Sequence, residues 1–239
     1  MKKIEKTENQ IIFTAEMDET IANSIRRYVS QIPVLAVDEV EISKNDSALY
    51  DETVAHRIGL IPLKMSGDAA KKPGKLKLDV KNEGLVYSGE LKGNPAVVYK
   101  NMPITLLNNN QELQIIATVK AGKGSEHSKF SPGLIFYRNV VEIVIDKEFY
   151  EEIRKVCPDA EIKEKGNKII IIDDKKREAA DVCEGILDKK KKKAEINPTG
   201  ELVMTIESFG QISMEDIFKK SIETLKKDLA SVAKEIKKI

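Results

Sequence analysis

Chemistry needs nucleophiles, acids, bases or metal ligands within a few ångströms of one another, and this chain carries few of them. Two histidines, His56 and His127, stand far apart in the sequence with no cysteine or carboxylate at ligand spacing, so no zinc signature forms around either. The segment "AGKGS", Ala121 to Ser125, has the Gly-Lys pair of a phosphate-binding loop. That loop also needs a glycine five residues earlier and Ser or Thr directly after the lysine, where this chain has Ala117 and Gly124. A flexible turn is the expectation there. Asp173 and Asp174 end an apolar run and read as a solvated strand end rather than a metal site. An iron–sulfur run of the C-x2-C-x2-C-x3-C form placed on Cys183 would need thiolates at positions held here by Ala180, Ile186 and Lys190. The only other cysteine, Cys157, cannot complete a four-ligand set. With no nucleophile beside a plausible base, no reaction mechanism assembles from these residues.

Composition narrows the field further. Lys and Arg number 40 against 39 Asp and Glu, a formal charge of +1, whereas a general nucleic-acid-binding surface shows as a basic excess. The lysine run Lys189 to Lys193 could touch phosphate, but a solvated loop is the expectation. No apolar run reaches membrane-spanning length and the start "MKKIEKTENQ" lacks the apolar stretch of a secretion signal, so a soluble, cytoplasmic protein with two free thiols is expected. A length of 239 residues can bury a real core in one or two domains with room for a small third.

The elements that must position any site follow from periodicity. "QIIFTAE" reads as a strand, followed by a helix from about Asp18 to Gln31 that Pro33 stops, with Ile21, Ile25, Tyr28 and Ile32 at steps of four and three. "VLAVDEVEI" alternates but loses phase between Val37 and Val40, which predicts a bulged strand. "DETVAHRIGL" reads as a short helix. From about residue 66 to 145 the chain is β-rich, with strands expected at "KLKLDV", "AVVYK", "LQIIATV" and "GLIFYRNVVEIVI". Helices near "KEFYEEIRKV" and "REAADVCEGILDKK" around the strand "KIIII" make a small α/β unit. "ELVMTIE" then leads to a long helix capped by Ser213, with Asp216 three residues on.

That last helix carries the most informative pattern. Phe218, Ile222, Leu225, Leu229, Val232, Ile236 and Ile239 alternate steps of four and three, the spacing of a coiled-coil seam. Fully covering seven such side chains represents on the order of 10–20 kcal/mol of gross burial. Spacing alone leaves two destinations open, the chain's own sheet or another molecule.

Four blocks carry a resemblance: "ANSIRRYVSQIPVLAVDEVEI" (Ala22 to Ile42), "ETVAHRIGLIPL" (Glu52 to Leu63), "GSEHSKFSP" (Gly124 to Pro132) and "ELVMTIESFGQIS" (Glu201 to Ser213). In these blocks and their order the chain resembles the alpha-like subunits of cellular RNA polymerases, in their archaeal, D-type branch. The resemblance implies an α+β fold with a discontinuous dimerisation domain (1–45 and 196–239), an inserted β-rich domain (46–147) and a small ferredoxin-like domain (148–195). Some relatives hold iron–sulfur clusters in the last of these; Cys157 and Cys183 alone lack the ligands, so no cofactor or metal is expected. The resemblance further implies a non-catalytic assembly role in a nucleotidyltransferase complex. The dimerisation helices would pair with subunit L, the heterodimer would join small subunits N and P, and this platform would seed the large catalytic subunits. Ile21, Ile25, Phe218, Ile222, Leu225, Leu229, Val232 and Ile236 would form the interface, with Arg26 and Arg27 facing a large subunit and His56 and His127 fixing local structure. Two other readings stay in play, an iron–sulfur or redox-responsive protein and an alpha-like homodimer.

Overall fold

A computed structural model describes residues 1–65, 74–158, 160–175 and 178–238. In chain order the elements are β1 (Lys2–Lys6), β2 (Gln10–Glu16), α1 (Glu19–Tyr28), β3 (Pro33–Asn45), α2 (Asp51–Gly59), β4 (Lys75–Val80), β5 (Gly84–Tyr87), β6 (Lys92–Gly93), β7 (Pro103–Leu107) and β8 (Leu113–Lys123). They continue with β9 (Gly133–Asp146), α3 (Tyr150–Val156), β10 (Glu161–Lys165), β11 (Lys168–Asp173), α4 (Ala180–Asp188), β12 (Glu195–Ser208) and α5 (Met214–Ile236). The fold is α+β, as the sequence pattern and the resemblance imply.

Packing divides the chain into two compact units. The first comprises Met1–Ser24 and Ile135–Ile206. Its frame is a six-stranded sheet in the order β1-β2-β12-β9-β11-β10. Both edge strands, "KKIEK" and "EIKEK", are built from Lys and Glu around a single isoleucine, a composition that discourages another strand from pairing with the edge. That same polarity hides them from a search for apolar runs. β11, "KIIIID", alternates fully buried and half-buried positions because β9 and β10 flank it and α3 and α4 cover one face. Phe149, Ile153, Ile169, Ile171, Cys183 and Leu187 form that covered core.

The second unit comprises Ile25–Leu134 and Glu207–Ile239. It holds a four-stranded sheet, β3-β8-β4-β6, and a two-stranded ribbon of β5 and β7. The phase break in β3 is a bulge: the pairing with β8 shifts between Val37 and Glu39. α2 buries Val54 and Ile58 against this sheet, one turn apart on the same helix face.

Several local expectations give way to tertiary context. "AVVYK" makes a single bridge, Leu63 to Val97, because its only backbone partner is the short Pro62–Lys64 segment. Of the turn expected over Ala121 to Ser125, Gly124 and Ser125 do turn, but Ala121 to Lys123 end β8 as paired strand; Gly122 lies under the Phe130 ring, where a Cβ would come within 2.6 Å of a ring carbon. The opening of the β-rich block from residue 66 to 73, the start of the second small helix at Arg177, and Ile239 lie outside the described residues.

Candidate partner surface on the C-terminal helix

α5 begins on a clean cap: Ser213 Oγ accepts from the Asp216 backbone N–H at 3.1 Å. Its first three turns bury Met214, Ile217 and Ser221 against the chain's own second unit, where the helix packs on the 3-10 turn Val29–Gln31. The seam expected from sequence lies beside that stripe. Phe218, Ile222 and Leu225 are half-buried. Leu229, Val232 and Ile236 are 59%, 57% and 63% exposed, and every described residue from Lys226 onward is exposed. One helix thus carries two faces, an inner one closed by its own chain and an outer one left in water for about half the helix length.

The shorter helix divides its expected seam differently. Ile21 is 53% exposed and lines an open groove with Glu16, Met17, Asp18, Glu19 and Leu202. Ile25 is buried at 3% and so offers no surface to a partner. Arg26 and Arg27 are exposed in the last helical turn, where a cation complements the helix dipole. Asp18 starts this helix by accepting from the Thr20 N–H at 2.8 Å, and bonding to Thr20 holds its carboxyl below the usual range. At the other end, burial first and the Asp228 carboxylate of α5 second raise the Tyr28 pKa. Spacing assigns Tyr28 to an apolar seam and gives no signal of this link, because the two residues are 200 positions apart.

The residues with chemical potential are held for structural ends. Asp173 is not a solvated strand end: it is 1% exposed, its Oδ1 accepts from the Arg138 guanidinium at 3.0 Å, and its Oδ2 accepts from the Ala179 and Ala180 N–H groups that open α4. Three donors and a helix dipole offset the desolvation of that carboxylate. Cys157 and Cys183 are buried and not joined by a disulfide, and burial, then Cys157, then Asp173 push the Cys183 thiol up to about 12. A thiol so held is a poor nucleophile and a poor ligand. Among the described residues no group of three or more His, Cys, Asp or Glu is placed to hold a metal ion. His127 Nδ1 accepts from the Lys129 N–H at 3.1 Å and caps a 3-10 turn, while His56 is exposed in the last turn of α2.

The lysine run is exposed throughout, as expected of a solvated loop, and two of its members also pair with carboxylates. Lys190 pairs with Glu152 at 2.9 Å, and Lys192 pairs with Asp146 and Glu148, both ammonium groups lying over the Phe149 ring. Carboxylates thus occupy charge that phosphate would need. Among the described residues no helix is long and apolar enough to cross a membrane.

Comparison with known proteins gives this geometry a class. Residues 40–149, from the bulged half of β3 through β9, match the RNA polymerase Rpb3/RpoA insert domain, which sets the chain among the alpha-like polymerase subunits. The DNA-directed RNA polymerase subunit Rpo3 of Thermococcus kodakarensis is 33% identical over 94% of this chain and 92% of its own length. Subunit Rpo3 of Pyrococcus horikoshii is 35% identical over 72% of each chain, and that of Archaeoglobus fulgidus is 29% identical over 92% of this chain and 89% of its own. The chain belongs to the Rpo3 family, the archaeal branch of the Rpb3/RpoA proteins. The names of these relatives carry no iron–sulfur chemistry, so that alternative gains no support from them.

Proposed function

We propose that this chain is a structural subunit of archaeal DNA-directed RNA polymerase, with no catalytic residues of its own, that pairs through α5 with subunit L. The heterodimer joins small subunits N and P and serves as the platform on which the large catalytic subunits assemble in transcription. Residues 1–45 and 196–239 act as its dimerisation domain, 46–147 as the insert and 148–195 as a ferredoxin-like domain without a cofactor. Its place is the cytoplasm, where transcription occurs in an archaeal cell.

One observation carries this reading. The outer half of α5 presents Leu229, Val232 and Ile236 to water at steps of three and four, directly continuing the half-buried Phe218, Ile222 and Leu225. An apolar stripe of coiled-coil spacing that its own chain leaves open is the shape of half an interface. Arg26 and Arg27 offer exposed cations to a large subunit.

Co-expression with subunit L tests the reading. The chain alone is expected to self-associate, and the pair to elute as a soluble 1:1 complex. A chain that stays monomeric and ignores L would end it; differently tagged copies that pair equally well in the presence of L would point to a homodimer instead.

A further inference from the structure

The seam on α5 has two flanks, and from Phe218 onward their charges are sorted by sign. Residues seven apart stand two turns on along one row of the helix, so Ile222, Leu229 and Ile236 form one row of the seam and Phe218, Leu225 and Val232 the other. Beside the first row run Lys219 and Lys226, with Ala233 in line after them; beside the second run Ser221, Asp228 and Glu235. Ser221 is buried against its own chain, whereas Lys219, Lys226, Asp228 and Glu235 are exposed. Glu235 accepts from Lys238 at 2.8 Å, a contact within the helix end in which both side chains stay open to water. The side turned away from the seam is different, because there Lys220, Glu223, Lys227 and Lys234 mix the two signs.

These rows decide what can lie on the seam. Where two helices pack seam to seam, the side chains flanking one meet those flanking the other. A second copy laid antiparallel sets Lys219 and Lys226 against the same two lysines, and Asp228 and Glu235 against the same two acids. Laid parallel, each position beside the second row meets the copy's position five residues further along beside the first row. Ser221 then faces Lys226 and Asp228 faces Ala233, so no ion pair forms.

We infer that the flanks of α5 select a helix of a different chain over a second copy. The occupant carries its own apolar seam, with acidic side chains on the edge that meets Lys219 and Lys226 and basic side chains on the edge that meets Asp228 and Glu235. Covering the seam still draws copies of this chain together, while the flanks keep that association weak. Charges at the rim of an interface thus set partner choice more than they set gross affinity. The inference rests on the reading of α5 as a docking helix.

Two charge variants of the full chain test it with no other protein present. Lys219→Glu with Lys226→Glu makes both flanks acidic, and Asp228→Lys with Glu235→Lys makes both basic. All four positions are exposed, so the unfolding midpoint of each variant should stay close to the parent's. Mixed in equal amounts, the two variants place opposite charges along both edges in either orientation. Sedimentation at low salt should show them associating about ten- to hundredfold more tightly than the parent does with itself. Either variant alone should associate no more tightly than the parent, and the gain of the mixture should fade as salt approaches about 1 M. A mixture no tighter than the parent overturns the inference, and so does a gain that salt leaves unchanged.

Titrating the parent with subunit L reads the docking role separately. No complex there removes L as the occupant, while a gain in the mixture still shows that the flanks govern the seam. A complex with L beside an unresponsive mixture removes the inference and leaves the docking role standing. Where L binds, each charge variant should bind it about tenfold more weakly, and full affinity in both variants overturns the inference.

Discussion

Replacing Leu229, Val232 and Ile236 together by alanine should separate partner binding from folding. These side chains are 59%, 57% and 63% exposed, so roughly three-fifths of each remains to be covered by another molecule. Full burial of a side chain of this size is worth about 1.5–3 kcal/mol, which leaves about 1–2 kcal/mol each and about 3–5 kcal/mol for the three. At about 1.4 kcal/mol per tenfold, the Kd for subunit L should rise by at least about 100-fold. Folding should hardly notice, because exposed substitutions usually stay within about 0.5 kcal/mol and alanine is the best helix former. Ile217→Ala on the inner face of the same helix is the contrast: it is fully buried, and its loss should cost about 2–5 kcal/mol of stability. Calorimetric titration with subunit L and thermal unfolding of the chain give the two numbers. Native affinity in the triple variant would refute the assignment of the seam, and an unfolding cost as large as that of Ile217→Ala would show that the chain itself encloses these residues.

Other outcomes follow from the same contacts. Asp173→Ala should destabilise the first unit by about 3–5 kcal/mol in denaturant titration, since it strands the Arg138 guanidinium and uncaps α4. Ser213→Ala should cost about 1 kcal/mol through loss of the bond to the Asp216 N–H, readable as a lower unfolding midpoint. Gly133→Ala should destabilise the second unit, because its Cβ would fall 2.0 Å from the Glu207 carbonyl oxygen and 2.8 Å from Ile217; an unchanged midpoint would show that the backbone can yield there. The Cys183 thiol, pushed up from 9.0 to about 12, binds its proton more tightly in the folded state. That contribution to stability is complete below pH 9 and is lost as pH rises toward 12, so denaturant midpoints should fall across that window and fall less in Cys183→Ala.

Individual residues show why part of this architecture is legible in the sequence. The helices at Asp51–Gly59 and Met214–Ile236 and the bulge in β3 follow from local periodicity, which sequence displays directly. Edge strands β1 and β10 are not legible, since their Lys and Glu side chains answer to selection against aggregation rather than to a buried face. Asp173 looks like a solvated acid because nothing near it in sequence announces Arg138, a strand away. The lysine run is a solvated turn, as its composition says, but its pairing with Glu152, Asp146 and Glu148 is not legible, because folding brings those carboxylates to it from far along the chain.

By itself the sequence determined the α+β class, the absence of a four-cysteine ligand set and the presence of an apolar seam on the C-terminal helix, because composition and spacing are properties of the chain. Only the tertiary structure decided which turns of that helix are closed by their own molecule, and that Ile25 lies in the core while Ile21 does not. A repeat of threes and fours names a helix face, but what lies against that face depends on elements far away along the chain.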